Sequence, residues 1–232
     1  MTYQHTSAES VTASRLAQTG FADAAGRRQG LYAAGGKRAL DIALVVLMAG
    51  PVLVLVAVLA FFAALDGASP FYGHPRVGKD GRVFRCWKLR SMVRDSAARL
   101  ERHLAEDPGA AREWAETQKL THDPRVTRVG RFLRKTSLDE LPQLWNVLRG
   151  DMSLVGPRPV TEGELDRYGA ERRAYLGVRP GITGLWQISG RNDISYAERV
   201  SLDARYAREV DLAMDLRILV MTGPAVLKLT GK

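Results

Sequence analysis

Cys86 is the only cysteine in 232 residues, which excludes an intrachain disulfide and suits a reducing compartment. No partner base stands near it, so it reads as a small packing residue rather than a nucleophile. The histidines number 4. His103 and His122 stand at no metal-ligand spacing and read as surface residues. Aromatics make up 7% of the chain, and no zinc-finger or RNA-binding fingerprint accompanies them, which counts against nucleic acid as a partner. Neither the Walker A nor the Rossmann glycine spacing occurs. No secretory leader is expected, because the first apolar run starts late and Arg27-Arg28 is an isolated pair.

Basic charge and one long apolar run are abundant. The net charge is +9 and the pI about 10.0, so a polyanionic partner is expected, either anionic lipid or nucleotide phosphate once nucleic acid is set aside. Residues 1–36, rich in Ala, Ser, Thr and Gly without periodicity, are expected to form a disordered tail. From Ile42 to Leu65 run 24 residues without a charge, bounded by Asp41 and Asp66. A straight helix of that length measures ~36 Å, more than the ~30 Å hydrocarbon core needs. Gly50-Pro51 near its middle predicts a kink or break. Both flanks are basic, with Lys37 and Arg38 before the run and Arg76, Lys79, Arg82 and Arg85 after it. Each flank therefore claims the cytoplasmic side. A single spanning helix and a re-entrant helix that leaves by the face it entered both satisfy the composition. The expected organisation is tail 1–36, membrane segment 37–69 and catalytic domain 70–232.

Past Pro70, "FYGHPRVGKDGRVFRCWKLRSM" predicts a β-hairpin turning at Gly78–Gly81. Residues 95–120 read as helical on both sides of Asp107-Pro108-Gly109. Arg125, Arg128, Arg131 and Arg134 recur every third residue and predict a basic stripe suited to lipid headgroups or phosphate. Arg158 sits between Pro157 and Pro159, which present its guanidinium from a stiff loop. "VRPGITGLWQISGRND" adds Arg179, Gln187 and Arg191 among glycines that allow close approach to a ligand. Residues 200–229 mix charged and apolar positions at helical spacing, as an interfacial helix does.

Asp139 and Glu140 stand side by side in this basic chain. Ser137-Leu138-Asp139-Glu140 matches an S-x-x-E capping box. Asp139 as the cap would instead place Pro142 comfortably in the first turn. Either way the two acids lie where backbone amides point outward, a place that also binds phosphate.

Four stretches in order, "KRALD", "FRCWKLRSM", "RKTSLDELPQLWNVLRGDMSLVGPRP" and "VRPGITGLWQISGRND", resemble one family. It is the small monotopic polyprenol-phosphate phosphoglycosyl transferases, the bacterial sugar transferases that begin exopolysaccharide and O-antigen units. "FYGHPRVG" and "GLWQISGRNDISYA" look most like its exopolysaccharide galactose-phosphate transferases. Longer members carry further spanning helices and a nucleotide-binding-like domain ahead of this core. The resemblance implies a mostly helical α+β fold with a re-entrant hairpin bent at Gly50-Pro51, interfacial amphipathic helices and a small β-hairpin, on the cytoplasmic face of the bacterial inner membrane.

It further implies transfer of hexose 1-phosphate from UDP-galactose or UDP-glucose to undecaprenyl phosphate with loss of UMP. Asp139 is then the nucleophile, and Asp139 and Glu140 are the ligands of Mg²⁺. Candidate phosphate or substrate ligands are Lys88, Arg90, Arg134, Arg158, Arg179, Gln187 and Arg191. Arg134 and a helix N-terminus are expected to lower the Asp139 pKa. Gly50 replaces a serine common before the proline, and "KLRSM" a phenylalanine-containing variant. The alternatives are another UDP-sugar, a direct transfer beneath a spanning helix, and a membrane-anchored basic binding protein without catalysis. A homodimer at the membrane surface is compatible with the sequence.

Overall fold

The structure, a computed structural model, describes residues 31–117, 120–190 and 194–227. The chain divides into Met1–Lys37 and Arg38–Lys232. Residues 1–30 of the expected tail lie outside the described residues, whereas 31–36 are helical, with a π-helical turn at Tyr32–Gly36.

Helix α1, Lys37–Ala64, is continuous and contains Pro51. The expected break at Gly50-Pro51 therefore does not interrupt the helix. Proline removes one intrahelical bond while its neighbours keep theirs. Among the described residues this is the one helix long and apolar enough to cross a membrane, and Leu47, Leu53 and Val54 on its middle turns are exposed. Both of its ends are fastened to the same unit. Near the start, Arg38 donates to the carbonyls of Val147 and Leu148. Buried Asp41 accepts from Ser153 Oγ at 3.1 Å and Leu154 N–H at 3.0 Å. Beyond the far end, Arg90 Nη1 donates to Asp66 Oδ2 at 2.8 Å and Arg90 Nη2 to Ala63 O at 2.6 Å. Leu59 and Ala60 pack there on Leu89 and Leu133.

Strands β1 (Phe71–Val77) and β2 (Val83–Leu89) form the expected antiparallel hairpin, Phe71 opposite Leu89 and Val77 opposite Val83. Asp107 separates α2 (Ser96–Glu106) from α3 (Pro108–Thr117), its Oδ1 accepting from Gly109 N–H at 2.7 Å and Ala110 N–H at 3.0 Å. Pro108 opens α3 where its missing N–H is no loss. Helix α4 (Arg128–Thr136) leads through a 3₁₀ turn, Leu138–Glu140, into α5 (Gln143–Arg149) and β3 (Ser153–Val155). After α6 (Glu162–Asp166) and α7 (Arg172–Leu176), β4 (Gly181–Thr183) pairs parallel with β3. Helices α8 (Leu185–Ile188), α9 (Tyr196–Glu209) and α10 (Leu212–Leu227) complete the unit. This is the mostly helical α+β class expected.

Three buried clusters hold these elements together. In the largest, Val45 of α1, Val147 of α5, Met152, Val155 and Ile218 of α10 pack together. Asn146 of α5 is fully buried, and its side chain replaces a missing strand beside β2. Its Oδ1 accepts from Trp87 N–H at 3.0 Å, and its Nδ2 donates to Arg85 O at 2.8 Å.

The glycines of "GPRP" and "RPGITG" serve backbone contact rather than the expected approach to a ligand. A Cβ on Gly156 would lie 2.4 Å from Arg179 O, on Gly181 2.1 Å from Gly156 N, and on Gly184 2.2 Å from Gly156 O. Only glycine lets the two loops cross this closely. Gly156→Ala is expected to destabilise the protein by about 1–3 kcal/mol, read as a lower Tm, because the opposing atoms are backbone. Gly163→Ala, whose Cβ would meet nothing within 4 Å, is expected to leave Tm unchanged or slightly raised.

Candidate active site

Segments distant in sequence meet around Asp139. Strand β2 carries Lys88, held in register by Asn146 at the neighbouring Trp87. Helix α4 ends at Ser137, whose φ of 58° and ψ of 16° are left-handed. Its N–H returns to Arg134 O at 3.1 Å. A non-glycine residue in that region is strained by about 1–3 kcal/mol, a cost usually met at functional sites. The turn throws Leu138–Glu140 into the 3₁₀ segment that carries both acids.

The expected capping box is not formed. Ser137 makes no side-chain cap bond, and Glu140 N–H instead reaches Ser137 O at 3.2 Å. Asp139 is not a cap either, since α5 begins after Pro142 without side-chain capping. The reason lies with Lys88, whose Nζ stands 2.6 Å from Glu140 Oε1 and 3.6 Å from Asp139 Oδ2. A capping box does form at Thr161–Glu164. That T-x-x-E spelling is plain in the sequence, and Glu164 also holds Arg76 at 2.9 Å.

Asp139 is 8% exposed. Burial raises its pKa, Lys88 lowers it, Glu140 raises it and Arg134 lowers it, with a net rise. The expectation of a lowered value is therefore reversed: desolvation outweighs the cations, and no long helix begins at Asp139 to oppose it. For Lys88, burial pulls the pKa down, but Glu140 and Asp139 push it further up, so it stays an ammonium. Burial pushes the Cys86 thiol up to about 11, in keeping with a packing role.

The acids line a cleft of about 900 Å³ whose walls hold seven cationic side chains, Arg76, Lys88, Arg90, Arg94, Arg125, Arg134 and Arg158. Asp139 and Glu140 are its only acidic lining residues among the described residues, so the cleft suits a polyanion. Met48 and Val52 of α1 and Thr222 of α10 also line it, bringing the membrane helix to its edge.

The expected ligands fare differently. Lys88, Arg134, Arg158 and Gln187 line the cleft, Arg134 with its Nε on Ser91 Oγ at 2.9 Å. Gly130 permits that contact, for a Cβ there would fall 1.9 Å from Ser91 O. Arg90 lines the cleft too, but its guanidinium is engaged by Asp66 and by main-chain carbonyls. Arg179 does not line it, and its Nε donates to Gly150 O at 2.8 Å. Arg191 lies outside the described residues. The basic stripe divides: Arg128 and Arg131 are exposed, whereas Arg134 turns inward and Arg125, before α4, pairs with Asp123 at 2.6 Å. Three-residue steps rotate about 60° on a helix, so the stripe drifts off one face.

Sequence reasoning missed Asn146, Ser91 and Trp186. The "LWN" and "LWQ" stretches hold two of them, but a buried amide and a buried indole have no spacing signature. For Mg²⁺, the fit rests on the donor set. The described residues contain no group of three or more His, Cys, Asp or Glu arranged for a metal. Two adjacent carboxylates suit an ion that draws its remaining ligands from water and phosphate.

The chain is also similar to known proteins. The chain matches the family described as bacterial sugar transferase over residues 32–229. It is 56% identical over 174 residues to a UDP-galactose-lipid carrier transferase of Erwinia amylovora, covering 75% of this chain and 36% of that protein. With an undecaprenyl-phosphate galactose phosphotransferase of Salmonella typhimurium it shares 49% over 198 residues, 84% of this chain and 41% of that one. The chain thus spans about two fifths or less of the length of these two relatives. The exopolysaccharide production protein ExoY of Rhizobium meliloti is 50% identical over 193 residues, 82% of this chain and 84% of that protein. Matched along nearly all of its described length, the chain belongs to the bacterial sugar transferase family.

Proposed function

We propose that the protein transfers hexose 1-phosphate, most simply galactose 1-phosphate, from a UDP-sugar to undecaprenyl phosphate, as the first membrane step of exopolysaccharide synthesis. The observation that carries this is the buried Asp139 carboxylate beside Lys88 and Glu140 in a cleft walled by arginines and edged by a membrane-type helix. The names of the relatives supply the substrate class, galactose in two of them.

In the first step an Asp139 oxygen attacks the phosphorus that bears the sugar. The bond from that phosphorus to the bridging oxygen breaks, and UMP leaves with the electron pair. In the second step an oxygen of undecaprenyl phosphate attacks the same phosphorus, the aspartyl–phosphorus bond breaks, and the carboxylate is restored. Lys88 keeps the Asp139–Glu140 pair ionisable, while Arg134 and Arg158 bind the diphosphate oxygens. Asp139 and Glu140 would hold Mg²⁺, which when bound neutralises phosphate charge and orients the diphosphate.

Membrane attachment is part of the proposal. Leu47, Leu53 and Val54 on α1, Phe132 beside exposed Arg131 on α4, Trp145 on α5 and Val220 on α10 are large exposed apolar side chains suited to a lipid interface. Both ends of α1 are tied to one charged unit. Support for re-entry lies there, because a helix crossing a ~30 Å hydrocarbon core would separate its ends by the bilayer. In this reading the catalytic unit lies on the cytoplasmic face of the inner membrane, which the basic flanks of α1 support. A second copy of the chain there is compatible with the exposed apolar faces.

Asp139→Asn is expected to lower UMP release by at least about a thousandfold while leaving vesicle binding intact. Wild-type protein given donor alone is expected to gain one hexose phosphate on the peptide containing Asp139, and EDTA to prevent the gain. An unchanged peptide mass during turnover would sink the covalent route. The raised Asp139 pKa has two consequences. UMP release falls on acidification with a limb above the ordinary aspartate range. A buried acid whose pKa rises on folding favours the fold at low pH and loses that contribution as pH rises. Asp139→Asn should therefore gain Tm over wild type as pH increases to neutral. Reporter tags before α1 and after α10 are both expected on the cytoplasmic side, and a periplasmic N-terminal tag would refute re-entry.

A further inference from the structure

Three polar atoms on side chains of the cleft wall are buried without a hydrogen-bond partner, and two of them are neighbours in sequence, Trp186 Nε1 and Gln187 Oε1. Such atoms are rare in folded proteins and call for an explanation. The orientation of Gln187 is set by its own amide: Nε2 donates to Ile182 O at 3.0 Å, which leaves the oxygen as an acceptor. Trp186 is 7% exposed, and two guanidinium groups lie over its ring, Arg158 at 5.6 Å and Arg199 at 5.7 Å from the centroid. Its ring faces are thus engaged by cations, and its edge N–H is the polar valence left over. Arg158 Nε, on the neighbouring loop, is likewise buried and unpartnered.

The chemistry of these valences differs from that of the rest of the cleft. A carbonyl oxygen repels phosphate oxygens and must meet a hydrogen, whereas an indole N–H must meet a lone pair. Phosphate is already matched by Lys88, Arg134 and Arg158. Gln187 Oε1 needs a neutral donor and Trp186 Nε1–H a lone pair, and a hexose or a uracil carries both. Polyprenyl phosphate offers only phosphate and hydrocarbon, so the group belongs to the sugar nucleotide.

We propose that Trp186 Nε1–H and Gln187 Oε1 form a recognition pair for a neutral hydrogen-bonding group of the donor, a hexose hydroxyl or the uracil imide edge, beside the phosphate-binding cations. This rests on the UDP-sugar reading above, and it moves Gln187 from the phosphate ligands to the selectors of the neutral part of the substrate.

The test uses the full chain in lipid nanodiscs. Trp186→Phe keeps a ring for Arg158 and Arg199 and removes only the N–H. Gln187→Met keeps the length and removes the amide. Measured quantities are kcat/KM for UMP release from UDP-galactose and UDP-glucose, inhibition by UMP, and Tm as the folding control. Each variant is expected to lower kcat/KM about fivefold to a hundredfold. If the pair reads uracil, UMP inhibition weakens by the same factor and both donors suffer equally. If it reads the hexose, UMP inhibition is unchanged and the two donors lose different factors. Folded variants that stay within about twofold of wild type in every measurement overturn the proposal alone. Wild-type protein that releases no UMP from any UDP-sugar overturns the donor reading, and the recognition pair with it.

Discussion

The Lys88 ammonium, 2.6 Å from Glu140 and 3.6 Å from Asp139, reconciles two carboxylates that would otherwise exclude each other. Like charges 4 Å apart in a partly buried setting repel by roughly 4 kcal/mol, enough to keep one acid protonated. Burial adds to that tendency at Asp139 and the ammonium opposes it. The balance leaves the carboxyl harder to ionise than in water, but flanked by the charges that make ionisation and the approach of a phosphate possible. Those carboxylates in turn keep Lys88 charged despite its burial. The three groups are therefore coupled: Lys88 opposes the rise at Asp139, and the two carboxylates oppose the fall that burial alone would give Lys88.

That mutual dependence demands positional accuracy from elements that are far apart in the chain. Lys88 comes from a two-stranded hairpin, whose exposed edge Asn146 closes by imitating a strand. The acids come from a turn forced by left-handed Ser137. Arg158 comes from a loop set by the crossing of Gly156 with Gly181 and Gly184. Each device is local and small, and the glycine crossing is intolerant of substitution because the opposing atoms are backbone and cannot move aside as side chains can.

Much of this was legible beforehand. The hairpin, the Asp107-Pro108-Gly109 interruption and the long apolar helix follow from alternation, turn residues and run length, which are local properties. Asp139 and Glu140 stood out because two acids in a basic chain invite explanation. Their capping role was misjudged because S-x-x-E describes a helix start only if no stronger partner claims the glutamate, and Lys88 lies 52 residues away. The direction of the Asp139 pKa was likewise decided by burial, which spacing does not reveal. Arg90 and Arg179 looked like phosphate ligands because charge is visible in sequence and its partners are not. They are held by Asp66 and by the Gly150 carbonyl respectively.

The charges that bracket the apolar helix have a second use beyond choosing a membrane face. Arg38 satisfies carbonyls at the end of α5, which no later turn can reach, and α5 is the helix whose Asn146 braces β2. Asp41 accepts from Ser153 and Leu154 of β3, two to three residues before the Gly156 crossing that sets the Arg158 loop. At the other end, Asp66 engages Arg90, two residues beyond Lys88. The fastenings at Asp41 and Asp66 thus end at or within a few residues of a cleft-lining cation, and that at Arg38 ends on the helix that braces β2. A shift of the helix would therefore reach the charges of the cleft through these polar contacts and no flexible linker. Under the proposed function, with an acceptor itself embedded in lipid, this arrangement would hold Asp139 at a fixed depth relative to the acceptor's headgroup.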